Sequence, residues 1–245
     1  MELILHRGEL VNKEKKTLFP WSWPWRDSTG EVLKPYQAFL SRKFTYTYLI
    51  IIWLIWLTKG QGPEYDCYIN SGGLYCIGGI WPADIVNAPL NFFASLLIAP
   101  IFHNSNEHII FVTFGFLLFV QSFEIRQGAL RTYFLFMLFT CIAALIIATV
   151  MNISDFIWPE SKLLAEGFSR NWMGGSAGFY GIIGASSHQS KNVWVIPAIA
   201  ITFESWNYFI HGISFFTSSA HMVSLVCGFI IWGYWSGNLR QSTNN

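Results

Sequence analysis

The sequence predicts an all-α, polytopic membrane helix bundle. Three observations carry that prediction. Of the 245 residues 53% are hydrophobic and only 12% charged, against roughly a quarter charged in a soluble domain. From Phe44 onward, apolar stretches alternate with short polar punctuation. The basic residues, finally, fall on alternate connections rather than evenly along the chain.

Residues 1–43 are polar, rich in Lys, Arg, Trp and Pro, and lack the apolar core of a secretory signal, so they are expected to stay in the cytoplasm. Trp21, Trp23 and Trp25, interleaved with Pro20 and Pro24, exclude a regular helix and suit a membrane surface. Six spans follow, at 44–58, 108–124, 129–150, 174–187, 193–209 and 221–236, several of them short enough to require shielding by neighbours. Residues 44–236 thus form the membrane domain, and 237–245 a short polar cytoplasmic tail. The connection 59–107 is long and contains an apolar piece, Leu90 to Phe102, which reads as a partly embedded loop with its backbone satisfied by protein. It also holds Cys67 and Cys76, which an oxidising compartment would permit to pair. Cys141 and Cys227 lie inside spans as small packing residues.

With a cytoplasmic N-terminus, that side receives Arg7, Lys13, Lys15, Lys16, Arg26, Lys34, Arg42, Lys43, Arg126, Arg131, Lys191 and Arg240, and the outside only Lys59, Lys162 and Arg170. Twelve against three sets the orientation. Both termini are then cytoplasmic, the host membrane is expected to be the plasma membrane, and spans two, four and six start at similar depth near the outer face. The net charge of +1, without a basic patch, gives no nucleic-acid partner.

Those three starts collect the chain's reactive groups. Span two opens His103-Asn-Ser-Asn-Glu-His108, span four Gly174-Gly175-Ser176-Ala177-Gly178-Phe179-Tyr180-Gly181, and span six Ser219-Ala220-His221. Ionisable side chains inside a membrane are costly and default to function. A serine hydroxyl becomes nucleophilic when a base takes its proton, and neutral histidine suits that task near pH 7; Ser176 and His221 supply the pair. Gly174 and Gly175 allow the turn that aims amides at an oxyanion. Gly178, Gly181 and Gly184 in span four, with Ser224 and Gly228 in span six, thin the two helices so that they can approach. The plainer reading is that these small residues serve helix packing alone, and a lone serine or histidine would more often be structural.

The combination resembles the rhomboid family of intramembrane serine proteases, over residues 44 to 236. Gly174-Gly175-Ser176-Ala177 is similar to the family's G-x-S-G motif, with alanine for the last glycine. Ala220-His221 with Ser224 and Gly228 resembles A-H-x-x-G-x-x-x-G, with serine at the first glycine, and Glu124-Ile-Arg126-Gln-Gly128 resembles E-x-R-x-G. The resemblance implies a six-helix core and a Ser176–His221 dyad without a carboxylate. It also implies an oxyanion site from His108 and the backbone of Gly175 and Ser176, with His103 bracing the first loop and Tyr180 packing on His221. It implies single-span membrane proteins as substrates and no cofactor or metal. Where the family has an asparagine, one turn past His108, this chain has Val112, which cannot donate. Reduced or specialised activity is expected, rising if asparagine is restored.

Glu204, near the outer end of span five, reads as a solvated or gating residue rather than a third catalytic member. Phe203, Trp206 and Phe209 read as an interfacial aromatic belt, with a lateral substrate opening as the other reading. His6, His188 and His211 read as solvent-facing or interfacial. A zinc protease fits poorly, for there is no H-E-x-x-H and His103 and His108 do not share a helix face. A noncatalytic rhomboid-like binder of transmembrane helices fits the same fold, and a transporter lacks the repeat-related broken helices it would need.

Overall fold

The computed structural model describes residues 17–60 and 78–237. Cys67, Cys76, His6 and the tail beyond Gly237 lie outside the described residues. Within them, all regular structure is helical: α1 Pro35–Ser41, α2 Lys43–Lys59, a single turn at Asp84–Asn87, α3 Pro89–Ile98, and α4 Asn106–Gln127. Then follow α5 Ala129–Ile157, α6 Lys162–Phe168, α7 Ser176–Ser186, α8 Val195–His211 and α9 Phe215–Trp235.

Helices α4, α5 and α9, of 22, 29 and 21 residues, are long and apolar enough to cross a membrane. The pair α1 and α2, bent by 93° at Arg42, makes a fourth when taken as one span. Of the six expected spans the other two correspond to α7 and α8, which are shorter, at 11 and 17 residues. Length alone does not make these two crossing helices. In α7 every residue from Gly178 to Ser186 is buried, which is why this glycine-rich helix needs no polar face.

The helix ends have local causes. Ser105 caps α4 by accepting from His108 N at 3.1 Å, and Ser214 caps α9 by accepting from Thr217 N at 3.2 Å. That second cap corrects a boundary, because α9 begins six residues before His221 rather than at it. Similarly α7 begins at Ser176, two residues later than expected, because Gly174 has φ +99° and cannot continue a helix. Inside α4 the residues Phe116–Val120 form one π turn. It packs into the aromatic core, where Phe116 stacks on Tyr48 at 4.2 Å.

Helices α7 and α9 touch backbone to backbone. A Cβ on Gly228 would strike the Gly181 carbonyl oxygen, and one on Gly184 the Leu225 oxygen. Ser224 Oγ donates to Ala177 O at 2.5 Å one turn above. The small residues at these positions therefore set the interaxial distance, as the sequence pattern suggested.

At the end of the bundle remote from Ser176, the chain before α1 forms a strap. Lys191 N donates to Thr17 O at 2.8 Å, Ser190 Oγ to Leu18 O at 2.5 Å, and Arg126 Nη1 to Pro20 O at 2.7 Å. Arg42 is fully buried beneath it, donating to Gln121 Oε1, Trp23 O and Arg26 O. Glu124 Oε1 and Oε2 accept from Phe44 N and Thr45 N, each at 2.8 Å, capping α2, while Gly128 at φ +85° turns the chain into α5. Each member of the Glu124-x-Arg126-x-Gly128 element thus has a separate structural task. The three tryptophans of the strap remain partly exposed, and Trp23 stacks on Trp25 at 4.9 Å.

Candidate active site

At the first residue of α7, Ser176 has a backbone N–H that lacks an intrahelical acceptor by position. Its loop is pinned from behind, since Gly174 N donates to Ala99 O at 2.9 Å. A side chain on Gly174 would strike the His108 imidazole, and one on Gly175 would strike the Tyr48 hydroxyl. The two glycines are therefore required for close approach as well as for the turn.

His221 lies in the second turn of α9. The six residues before it in that helix place it about 9 Å along the axis, and the close α7–α9 contact brings it level with the start of α7. Its Nε2 is 2.9 Å from Ser176 Oγ. Both residues are buried, and the ring of Tyr180, one turn past the serine, stacks on the imidazole at 4.4 Å with only 4° between planes.

His108, on the first turn of α4, places Nε2 3.3 Å from Ser176 Oγ on the other side, and its Nδ1 contacts Asn104 Oδ1 at 3.1 Å. A half-turn of that amide, which exchanges its oxygen for its NH2, changes which nitrogen of His108 carries the proton. Asn104 is thus a tautomer-setting neighbour that sequence reasoning passed over. His103, itself in the connection that leads into α4, is buried and packs edge-on against His108 at 5.0 Å.

The largest correction concerns Glu204. Rather than being solvated it is 2% exposed, for α8 runs on to His211 and leaves this residue about 10 Å inside the helix end. Its Oε1 is 2.9 Å from His221 Nδ1, and its Oε2 accepts from Tyr180 Oη at 2.6 Å. Sequence reasoning dismissed it although the signal was present, because a single acid inside an apolar segment is expensive wherever it is not paired. The imidazole thus does have a carboxylate partner.

His188 is a second correction. It is buried, with Nε2 donating to Phe229 O at 2.7 Å, because the chain turns inward after α7 and tucks the ring against α9. His211 is exposed and accepts from Trp206 Nε1 at 3.2 Å. Phe203, though 44% exposed, stacks on Phe111 at 5.7 Å and closes one side of the site between α8 and α4. Trp206 and Phe209 are exposed.

Above Ser176 and His221 opens a cavity of about 700 Å³ whose walls include His108, Phe111, Arg170, Phe203 and Asn207. Val112 is fully buried in the apolar core and does not line this space. Val112→Asn is accordingly expected to leave turnover unimproved and to lower stability by about 1–3 kcal/mol, the cost of an unpaired buried amide. Thermal unfolding together with a turnover assay checks both parts, which replaces the gain expected from sequence. Among the described residues no group of three or more His, Cys, Asp or Glu side chains could hold a metal ion.

Comparison with known proteins adds no assignment: no family model matches the chain, and no curated protein matches it.

Proposed function

We propose that the chain is a rhomboid-type intramembrane serine endopeptidase that cleaves transmembrane or membrane-adjacent segments of single-span membrane proteins. One observation carries this reading: a buried serine hydroxyl 2.9 Å from a histidine Nε2, at the base of a cavity, within a helical bundle. The histidine would be costly there without a task.

In this reading Ser176 Oγ attacks a peptide carbonyl carbon while its proton passes to His221 Nε2. The oxyanion is met by the N–H groups of Ser176 and Gly175 and by His108 when its Nε2 is protonated. As the C–N bond breaks, His221 returns the proton to the leaving amine. Water then attacks the acyl ester, again giving a proton to His221, and releases the new carboxylic acid with Ser176 restored.

The test is labelling of the purified protein in lipid by a fluorophosphonate probe, alongside cleavage of a panel of single-span substrates. Labelling that depends on Ser176 supports the proposal, and cleavage that survives loss of both Ser176 and His221 rejects it. A second reading, a noncatalytic binder of membrane helices, draws on Val112 and Ala177, where the family resemblance fails. Helix binding without labelling would favour it.

A further inference from the structure

We infer that Glu204 is the third member of this site, a positioning residue that holds His221 in the tautomer able to accept the Ser176 proton. The inference rests on the hydrolase reading and extends it from a dyad to a Ser176–His221–Glu204 triad.

The argument starts from donor arithmetic. A carboxylate only accepts hydrogen bonds. Among the described residues two groups hydrogen-bond to Glu204, the Tyr180 hydroxyl at 2.6 Å to Oε2 and His221 Nδ1 at 2.9 Å to Oε1, and the Ser218 hydroxyl lies close to the same carboxylate. Both must donate, so the proton of the neutral imidazole sits on Nδ1. Nε2 is then a bare lone pair, and it faces Ser176 Oγ at 2.9 Å.

The packing removes what freedom remains. The imidazole is held at one nitrogen by Glu204, at the other by Ser176, and on its face by Tyr180 stacked 4.4 Å away. Glu204 and His221 are both almost fully buried. In so dry a setting the positive charge that develops on the ring as it takes the serine proton is offset by the carboxylate directly behind it. The titratable groups around His221 are thus Glu204 on α8, Tyr180 on α7 and, across Ser176, His108 on α4. Of these, only Glu204 supplies negative charge near pH 7.

Tyr180 has two tasks in this arrangement. Its ring lies on the imidazole and its hydroxyl fixes the far oxygen of Glu204, so one residue ties the carboxylate of α8 to the serine helix. The separation of Ser176 and Tyr180, four residues on one helix, puts both on the same face.

The experiment uses the full-length protein in lipid and reads the rate of Ser176 fluorophosphonate labelling against pH. Glu204→Gln presents an amide NH2 to Nδ1 and favours the wrong tautomer, so the rate is expected to fall on the order of 10³- to 10⁴-fold. The acidic limb of the pH profile moves to lower pH, because His221 loses the anion that favours its protonated form. Glu204→Asp keeps the charge and recovers part of the rate, and Tyr180→Phe gives a smaller fall than Glu204→Gln. A Glu204→Gln protein that melts like the parent, labels within about threefold of it and keeps its pH limb overturns the inference while leaving the hydrolase reading intact. Should Glu204→Gln fail to fold, parental rates in both Glu204→Asp and Tyr180→Phe overturn it instead. A parent that shows no Ser176-dependent labelling ends both proposals.

Discussion

Ser176→Ala is expected to abolish fluorophosphonate labelling outright and to lower substrate cleavage on the order of 10⁶-fold, with His221→Ala close behind. The two effects should not add. Oγ and Nε2 share one proton across 2.9 Å, so removing either leaves the other with nothing to do, and the double variant should cleave no more slowly than the worse single one. Such non-additivity is the signature of residues acting as a unit. Ser176→Ala should melt like the parent, because Ser176 caps no neighbouring helix, whereas His221→Ala takes a hydrogen-bond donor from the buried Glu204 carboxylate and should melt earlier. Turnover of a single-span substrate, measured beside thermal unfolding, tests both statements. Two variants whose losses multiply would break the model of a single proton-transfer pair.

The second large effect belongs to Gly228, more than a turn from the chemistry. Gly228→Val places a branched side chain where the Gly181 carbonyl oxygen already lies. Backbone cannot rotate away as a flexible side chain can, so the helices must separate, at a cost of about 1–3 kcal/mol or more. Because the same contact sets the spacing of His221 from Ser176, activity and stability are expected to fall together. The melting temperature and the labelling rate would both register it. A variant that melts early yet labels normally would mean that the two side chains are held together by something other than the α7–α9 contact.

How much of this was legible in the sequence depended on whether a feature was local. Ser176, Gly174, Gly175 and Tyr180 occupy one helix start, so spacing alone placed them relative to each other. Gly181, Gly184, Ser224 and Gly228 announced a close approach because only small residues permit one. The meeting of α4, α7 and α9 was legible from chain direction and the distribution of basic residues. Glu204 was not, since its partners lie on two other helices and its own helix ends two residues later than hydropathy indicated. A shift of that size is enough to exchange a watery end for a dry interior. His188 failed for the same reason: a turn after α7 carries it inward, and no pattern in the neighbouring residues reports a turn's direction. The start of α9 was set by the Ser214 cap, a polar residue inside a stretch read as connection. Fold class required only composition and alternation, which is why it was the part most readily read.

The strap over the far end of the bundle has a consequence for how the chain must assemble. Ser190 reaches back to Leu18 across 172 residues, so the part of the protein that leaves the ribosome early finds its seat only after α7 is in place. Until then the guanidinium of Arg42, which leans on the carbonyl oxygens of Trp23 and Arg26, has no dry place to go. A version of the protein lacking everything before Lys34 would therefore insert with that cation left to the Gln121 and Ser41 side chains alone at the bend between α1 and α2. Its loss should be read as slow maturation and early degradation in the cell, before any change in chemistry becomes visible.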